Sequence, residues 1–358
     1  MTRLPLARPD HLGDIVLALP AARLLVETIP DAQVDVLASA SLAGVVRRCP
    51  WVGDVIGAPF PAPTSSDDPA GWADAVDALA PTLAGRYKAA LIPRIDDPWS
   101  SRLTEAAGIP IRVGYDHPRT AQYLSHRAPV PEHRHVTRLA GDLASLVADA
   151  LGVSASHRTE PATDPWLVPD SADLAEARNH LAALGVDPTA GYVVIQPGAG
   201  WVLKRWRTER WGAVARHIAE QHGLQAVVSG DRNEASLVEA VVAASSGAAV
   251  GLAGVLSLGG LLGLLAEARL VVGVDSGPLQ VAAAVGAPVV ALFGPADPGE
   301  FAPWAPAERL MIVRSSLPCS PCRSLDAPPC GASELPACVE AVSVAWITRA
   351  VDSLLVGT

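Results

Sequence analysis

The residues of this chain best suited to chemistry begin in a glycine-rich turn that follows an apolar stretch. The run Gln196-Pro197-Gly198-Ala199-Gly200 is followed by Lys204, and a helical pattern opens shortly afterwards at Arg210-Trp211. Such a turn can present backbone N–H groups to an anion, with a cation beside it and the positive end of a helix behind it. An ordinary strand-to-helix connection with surface bases has the same pattern, so both interpretations stay open for this turn alone.

A second candidate cradle is Asp275-Ser276-Gly277, which follows another apolar stretch and precedes a helix containing Gln280. The free N–H groups of the helix start and the Ser276 hydroxyl can bind phosphate oxygens. The alternative is an Asp or Ser cap with a glycine for the turn.

A third motif, Gly13-Asp14, lies near the start of the chain and precedes a helical pattern that contains Pro20. Proline inside a helix bends or breaks it. Asp14 is a candidate catalytic carboxylate, and the alternative is that it caps the helix, because Asp is a preferred N-cap residue.

The elements that position these motifs alternate between helical and strand patterns, which predicts an α/β fold. The strands are short and apolar, as in a parallel sheet covered on both faces. In the first half we predict helices at 15–28 and 135–151 and strands at 33–38, 55–57, 89–93 and 111–114. In the second half we predict helices at 171–184, 209–222, 234–244, 258–267 and 279–285 and strands at 192–196, 225–229, 270–274 and 288–293.

The length of 358 residues predicts two domains. Residues 154–170 are polar, rich in proline and without clear periodicity, so we place the linker there. The predicted domains are residues 1–160 and 171–358. The two candidate anion-binding motifs each follow a predicted strand of the second domain, and ligands of open α/β sheets bind outside the carboxyl ends of the strands. A proline-, aspartate- and serine-rich stretch lies at 59–69.

The composition excludes several classes of protein. The chain is 50% hydrophobic and 18% charged, which indicates a folded globular protein rather than a disordered one. Its formal net charge of −10 opposes binding to nucleic acid. We predict a cytoplasmic protein because Met1 to Asp14 lacks the apolar stretch of a signal peptide. Glu267 and Arg269 interrupt the apolar stretch at 251–274, so a buried helix and strand fit it better than a membrane span.

Taken together and in order, the motifs resemble glycosyltransferase family nine, the ADP-heptose:lipopolysaccharide heptosyltransferases. The resemblance covers nearly the whole chain. It rests on Gly13-Asp14, Leu19-Pro20, Ile29-Pro30-Asp31, Pro197-Gly198, Lys204-Arg205-Trp206, Gly230, Glu234, Asp275-Ser276-Gly277-Pro278, Ala282-Ala283-Ala284 and Phe293-Gly294-Pro295.

The resemblance implies the GT-B architecture, in which two Rossmann-like doubly wound domains face a central cleft. The N-terminal domain would bind a glycan or glycolipid acceptor and the C-terminal domain a nucleotide-diphosphate sugar. It implies an inverting enzyme of cell-envelope polysaccharide biosynthesis that moves a heptose-like sugar from an ADP-sugar without a catalytic metal. Such an enzyme could contact the inner face of the membrane peripherally through its acceptor.

The resemblance also implies residue roles. Asp14 resembles the catalytic base, Lys204 the cation on the donor diphosphate and Glu234 the ribose contact. Asp275 to Gly277 resemble the phosphate-side loop. Gly198 and Gly200 belong to the donor turn.

One departure concerns Gln280, where many family members have histidine. Glutamine can donate a neutral hydrogen bond to the donor but cannot carry charge or shuttle a proton. The alternative function is therefore a catalytically altered relative that only binds a nucleotide sugar. A nucleotide-dependent dehydrogenase is a further alternative, although no G-x-G-x-x-G run with a following acidic residue is present.

Two more groups of residues are candidates for binding. Arginines in or beside predicted loops of the first domain could bind acidic groups of the acceptor, or they could be scattered surface charge. They are Arg94, Arg112 and Arg119, with Arg102, Arg134 and Arg138 nearby. Four cysteines spaced C-x2-C-x7-C-x7-C favour a structural zinc site or reduced thiols over disulfides. They are Cys319, Cys322, Cys330 and Cys338.

Overall fold

The structure is a computed structural model that describes residues 1–58, 69–154, 160–161 and 163–356, with side chains from 69–72 left out. The chain divides into two compact units, Met1–Glu160 and Pro161–Thr358. This division falls inside the segment that the sequence predicts as a linker. Positions 155–159 and 162 of that segment lie outside the described residues, as do positions 59–68 of the stretch rich in proline, aspartate and serine.

The first unit contains a six-stranded parallel sheet in the order β3-β2-β1-β4-β5-β6. Its helices and strands are β1 (Thr2–Ala7), α1 (Leu12–Ala18), α2 (Pro20–Thr28), β2 (Ala32–Ser39), α3 (Ala43–Val46), β3 (Val52–Ala58), α4 (Pro69–Leu83), β4 (Ala89–Leu91), α5 (Pro98–Ala106), β5 (Ile111–Tyr115), β6 (His126–Ala128) and α6 (Val136–Ala150).

Pro20 divides the first predicted helix into two, as its ring and missing N–H require. Helix α1 ends at Ala18, and Pro20 occupies the first turn of α2, where no intrahelical N–H bond is lost.

The second unit contains a six-stranded parallel sheet in the order β12-β11-β10-β7-β8-β9. Its helices and strands are α7 (Ser171–Ala183), β7 (Tyr192–Gln196), α8 (Thr208–His222), β8 (Gln225–Gly230), α9 (Ala235–Ala244), β9 (Ala249–Ala253), α10 (Leu258–Ala266), β10 (Leu270–Val274), α11 (Gly277–Ala284), β11 (Val289–Phe293), α12 (Pro298–Phe301), β12 (Leu310–Arg314), α13 (Ala337–Glu340) and α14 (Val344–Val356).

Both sheets are doubly wound and have one point at which the strand order reverses. In the first unit the chain builds outward from β1 through β2 and β3, then returns to the other side of β1 with β4. In the second unit the same reversal lies between β7 and β10. Because the strands are parallel, their carboxyl ends share one edge, and a crevice opens there at each reversal.

The predicted α/β class with two Rossmann-like units is confirmed. Strands β7 and β10 coincide with their predicted ranges, and the other predicted elements are found with ends shifted by a few residues. The sequence analysis missed a set of elements that the structure contains: β1, β6, β9, β12, α3, α4, α5, α12, α13 and α14. Within the described ranges, every helix is too short or too polar to cross a bilayer.

Candidate functional site

The two donor-side motifs meet at the carboxyl edge of the second sheet. Strand β7 ends at Gln196, and Gly273 of β10 pairs beside it. A Cβ at Gly273 would overlap the Gln196 carbonyl oxygen, so the two strands can lie this close only because Gly273 has no side chain. The glycine-rich turn after β7 and the Asp275 loop after β10 therefore border the same crevice.

A cation and a carboxylate link these two loops. Lys204 closes the short 3-10 turn Val202–Lys204, and its Nζ lies 2.6 Å from Oδ2 of Asp275. The side chains are 17% and 6% exposed, respectively, so the pair is shielded from most bulk water. The structure thus brings together two residues that the sequence predicts for the donor site, and Lys204 stays close enough to the surface to meet a ligand.

The start of α11 leaves polar groups unused beside this pair. Ser276 is the N-cap residue of α11, but its side chain makes no capping hydrogen bond. Its buried Oγ has no hydrogen-bond partner among the described residues. The N–H of Gly277, at the first helical position, has no intrahelical acceptor because it lies in the first turn. This helix end can therefore donate hydrogen bonds to an anion.

Two buried glutamines carry further unused groups. Gln280 of α11 is 4% exposed, and its Nε2 donates to the Phe301 carbonyl at 2.9 Å. Its Oε1 has no partner within the described part of the chain, and the same holds for Nε2 of Gln196 at the end of β7. The sequence predicts that the Gln280 amide nitrogen donates a hydrogen bond to the nucleotide sugar. In the structure this nitrogen already donates to the protein, and the amide oxygen is the group left to accept a hydrogen bond.

Glu234 lies against the glycine-rich turn. A Cβ at Gly198 would overlap Oε1 of Glu234, whereas no described atom lies within 4 Å of the equivalent position at Gly200. Glu234 also closes a capping box with Asp231: its Oε2 accepts from the Asp231 N–H at 3.1 Å, and Oδ1 of Asp231 accepts from the Glu234 N–H. Partial burial raises the pKa of the Glu234 carboxyl.

Packing and hydrogen bonds hold the loop between β7 and α8 in place. Trp206 and Trp211 are buried and meet edge to face, with ring centroids 4.9 Å apart. Nε1 of Trp206 donates to the Val342 carbonyl at 3.2 Å, and the Arg205 guanidinium donates to the Ala199 carbonyl. These contacts fix the loop that carries Lys204 before any ligand arrives.

The edge of the first sheet is filled by ion pairs instead. Arg8 follows β1 and contacts two carboxylates, Asp10 at 3.0 Å and Asp14 at 2.9 Å. Arg94 follows β4 and lies 3.0 Å from the second oxygen of Asp10. Burial alone would lower the pKa of Arg8, but Asp10 and Asp14 raise it above its ordinary value. The guanidinium therefore remains charged and holds Asp14 in place.

Asp14 does not cap a helix. It is the third residue of α1, whose N-cap is His11 without a side-chain bond. The alternative that Asp14 is an N-cap residue is therefore wrong. Arg8 contacts Oδ1, while Oδ2 has no partner in the described part of the structure, and the side chain is 26% exposed.

The three arginines predicted for the acceptor separate into two groups. Arg94 and Arg119 both approach Asp96, at 2.8 and 3.9 Å. Arg112 instead donates to the carbonyls of Ile109 and Tyr123, at 2.7 and 2.6 Å. The structure thus brings Arg94 and Arg119 towards one carboxylate and holds Arg112 against backbone.

Of the other arginines, Arg134 pairs with Asp142 and Arg138 with Glu160, and Arg102 lies within α5.

The four cysteines of the loop differ in burial. Cys338 is buried on α13, and burial together with the nearby Cys322 and Cys319 raises the pKa of its thiol to about 11. Cys319 and Cys330 are exposed. Nowhere in this loop do three thiol sulfurs lie within 4.8 Å of one another, and the zinc assignment stays a prediction.

The sequence analysis missed Arg8 and Asp10. The sequence signal that could have identified them is the charged segment Arg8-Pro9-Asp10, which directly follows the residues of β1. Because β1 was not predicted, these side chains could not be placed at a strand end.

Comparisons with known proteins show the family of the chain. The sequence model of glycosyltransferase family 9 (heptosyltransferase) matches residues 83–328. Lipopolysaccharide heptosyltransferase 1 of Pseudomonas aeruginosa is 29% identical over 341 residues, which cover 89% of this chain and 86% of that protein.

Two solved structures share the fold. Escherichia coli ADP-heptose lps heptosyltransferase II has a TM-score of 0.77 at 20% identity and covers 100% of this chain and 99% of its own. A family 9 glycosyl transferase of Veillonella parvula has a TM-score of 0.79 at 20% identity and covers 100% and 98%.

Proposed function

Because the chain belongs to glycosyltransferase family 9, we propose that it moves a heptose-like sugar from an ADP-sugar to a glycan of the lipopolysaccharide core. The names of the relatives support both substrates: one is a lipopolysaccharide heptosyltransferase, and another is named for ADP-heptose. Because this family consists of glycosyltransferases, we set aside the alternative that the chain is a nucleotide-dependent dehydrogenase.

The observation that carries the proposal is the set of unused polar groups at the reversal between β7 and β10. Ser276 Oγ, Gln196 Nε2 and Gln280 Oε1 are buried without partners among the described residues. Buried polar groups in folded proteins nearly always have partners, so each such atom calls for a ligand or water. A nucleoside diphosphate carries both donors and acceptors and can satisfy all three.

Charge at this edge suits the departure of a diphosphate. When the sugar leaves, negative charge grows on the phosphate oxygens, and a fixed cation with oriented N–H groups stabilises it. Lys204 supplies the cation, and the start of α11 supplies the N–H groups. Asp275 holds the Lys204 ammonium in position, so little reorganisation is needed during the reaction.

These groups make a catalytic metal unnecessary in our proposal. A cation of the protein takes the place that a divalent ion has in other nucleotide-sugar enzymes. We therefore expect turnover without added Mg²⁺ or Mn²⁺.

Asp14 is the proposed general base. Its free Oδ2 takes the proton of the acceptor hydroxyl as that oxygen attacks the anomeric carbon on the face opposite the leaving diphosphate. This attack inverts the configuration at that carbon. Arg8 orients the carboxylate through Oδ1.

The acceptor would meet the first unit. Arg94 and Arg119 can exchange Asp96 for carboxylates or phosphates of a glycan or glycolipid. Three backbone-directed bonds occupy Arg112, so its contribution stays a prediction. Through a glycolipid acceptor the protein would work at the inner face of the membrane, in the cytoplasm.

A thermal-shift screen with ADP-, GDP-, UDP- and dTDP-sugars tests the donor assignment. A ligand at 100 times its dissociation constant stabilises a protein by ~2.7 kcal/mol, and we expect this for ADP-sugars. A higher melting temperature with a different nucleotide sugar would mean that the donor carries that nucleobase instead of adenine. Binding without transfer to any lipopolysaccharide-core acceptor would support the alternative of a nucleotide-sugar-binding relative.

A further inference from the structure

Three residues with metal-binding side chains converge where α14 packs on α8. Nε2 of His217 lies 2.7 Å and Nε2 of His222 lies 2.8 Å from the same oxygen, Oδ1 of Asp352. The three ligand atoms all lie within 4.8 Å of one another. In the described part of the chain no other three histidine, cysteine or acidic side chains meet in this way.

This cluster is separate from the proposed donor site. His222 is the last residue of α8, whereas the loop that carries Lys204 precedes the first. A helix of this length spans roughly 20 Å at about 1.5 Å per residue. The proposed reaction uses neither histidine nor Asp352.

The chemistry of the side chains selects among metals. Two imidazole nitrogens and one carboxylate oxygen suit zinc and its divalent transition-metal neighbours, whereas Mg²⁺ and Ca²⁺ prefer oxygen ligands throughout. Zinc sites with three protein ligands keep a fourth position for water. The side chains are 26%, 15% and 42% exposed for His217, His222 and Asp352, so a water can reach the group from solvent.

The present spacing needs a small adjustment to admit an ion. Ligands bound at about 2.0–2.1 Å in a tetrahedron are ~3.3 Å apart, roughly half an ångström more than the two nitrogen–oxygen distances here. Asp352 is the most exposed of the three, so its carboxylate can retreat by this amount through side-chain rotation.

We propose that His217, His222 and Asp352 bind a divalent transition-metal ion of the zinc class, which fastens the C-terminal helix α14 to α8. The role is structural. The Trp206 and Arg210 bonds to the Val342 carbonyl hold the other end of the same helix pair, beside the donor loop.

The test is a calorimetric titration of the chelator-treated full chain with Zn²⁺. The cysteine loop is a competing site, so the titration uses a Cys319→Ser, Cys322→Ser, Cys330→Ser background. We expect one ion per chain, a higher melting temperature with Zn²⁺, and slower amide exchange in α14. Mg²⁺ should have no such effect.

His222→Gln is the decisive variant, because its amide can still donate to Asp352 but binds zinc poorly. We expect its zinc affinity to fall by more than about 100-fold, the upper end of what loss of an outer-shell partner costs. His180→Gln, on the last turn of α7, is the matched control and should bind zinc like the parent. If His222→Gln fails to fold, His217→Gln gives the same comparison.

Absence of zinc binding, or equal affinity in the parent and His222→Gln, would overturn the proposal and leave a hydrogen-bonded link between two helices. Binding of the nucleotide sugar and turnover should persist in His222→Gln. The metal-site proposal can therefore fail without the proposed transferase activity failing, and the experiment distinguishes the two.

Discussion

The two sheets have the same strand order but differ in how many of the charged groups at their reversal points are paired. Beside β1 and β4 the charges are paired with one another, from Asp14 through Arg8 and Asp10 to Arg94. Beside β7 and β10 one ion pair lies among buried polar atoms without partners in the described structure, such as Ser276 Oγ.

The two arrangements suit different roles. A closed network of charges fixes a single carboxylate in one orientation, which is what a base requires. Unused donors and acceptors at an edge can instead bind a ligand or water. The proposal of a base at the first edge and of nucleotide binding at the second rests on this contrast.

Asp14→Asn should have the largest effect and separates the two edges most clearly. The amide cannot take a proton, so turnover should fall by roughly 10²- to 10⁴-fold. Donor affinity, measured by calorimetry, should stay at the parental value because the second edge is untouched. The melting temperature should fall only slightly, since Asp10 still neutralises Arg8.

Asp96→Asn is the matched control for that variant. It removes a carboxylate from the same run of ion pairs but not the proposed base. We expect its turnover at saturating acceptor to stay near the parental value. Similar losses in both variants would mean that the network, rather than the Asp14 carboxylate, matters.

Lys204→Met should reduce both donor affinity and turnover, with turnover falling by about 10²- to 10³-fold, as for loss of other groups that stabilise a transition-state charge. The variant also leaves Asp275 buried without its cation, which destabilises the fold.

Adding Asp275→Asn should restore the melting temperature of Lys204→Met without restoring donor binding. Recovery of both would show that Lys204 only neutralises Asp275.

Gly198→Ala should cost about 1–3 kcal/mol of stability, because the new methyl displaces Glu234 and opens its capping box. Gly200→Ala is the control and should change the free energy of unfolding by less than ~0.5 kcal/mol, since nothing described lies near the new atom. Urea unfolding measures both. Equal costs would contradict the close approach of Glu234.

Ser276→Ala should have the smallest effect, a loss of donor affinity of about 2- to 13-fold, which corresponds to one hydrogen bond of 0.5–1.5 kcal/mol. Stability should not fall, because the hydroxyl bonds to no described group in the ligand-free protein.

Ser315→Ala removes another buried hydroxyl without a described partner, after β12 at the margin of the same sheet. Its donor affinity should be unchanged. An equal loss there would mean that the effect does not depend on the crevice.

Much of this account could be predicted from the sequence. Short apolar runs such as those of β7 and β10, together with the turn residues that follow them, predicted the second sheet and the binding site at the carboxyl ends of its strands. Strand β1 escaped because Arg3 and Pro5 interrupt its apolar residues. The run Leu310–Val313 of β12 is apolar throughout and could have been predicted as a strand. Helix α5 begins at Asp97-Pro98, a pattern that also suits a loop.

Pairing between distant residues could not be predicted. Arg8 and Arg94 are 86 positions apart, and only the neighbouring places of β1 and β4 in the sheet bring them to one carboxylate. The same limit applies to Gln280, because its bond to Phe301 depends on where α12 packs.

Amide hydrogen–deuterium exchange in EDTA, with and without the nucleoside diphosphate that binds most tightly, tests the central claim most directly. The account predicts that the nucleotide slows exchange at 197–204 and 275–280 without a divalent metal, and leaves 8–14 and 94–96 unchanged. Protection confined to the edge beside β1 and β4, or protection that appears only with Mg²⁺, would contradict it.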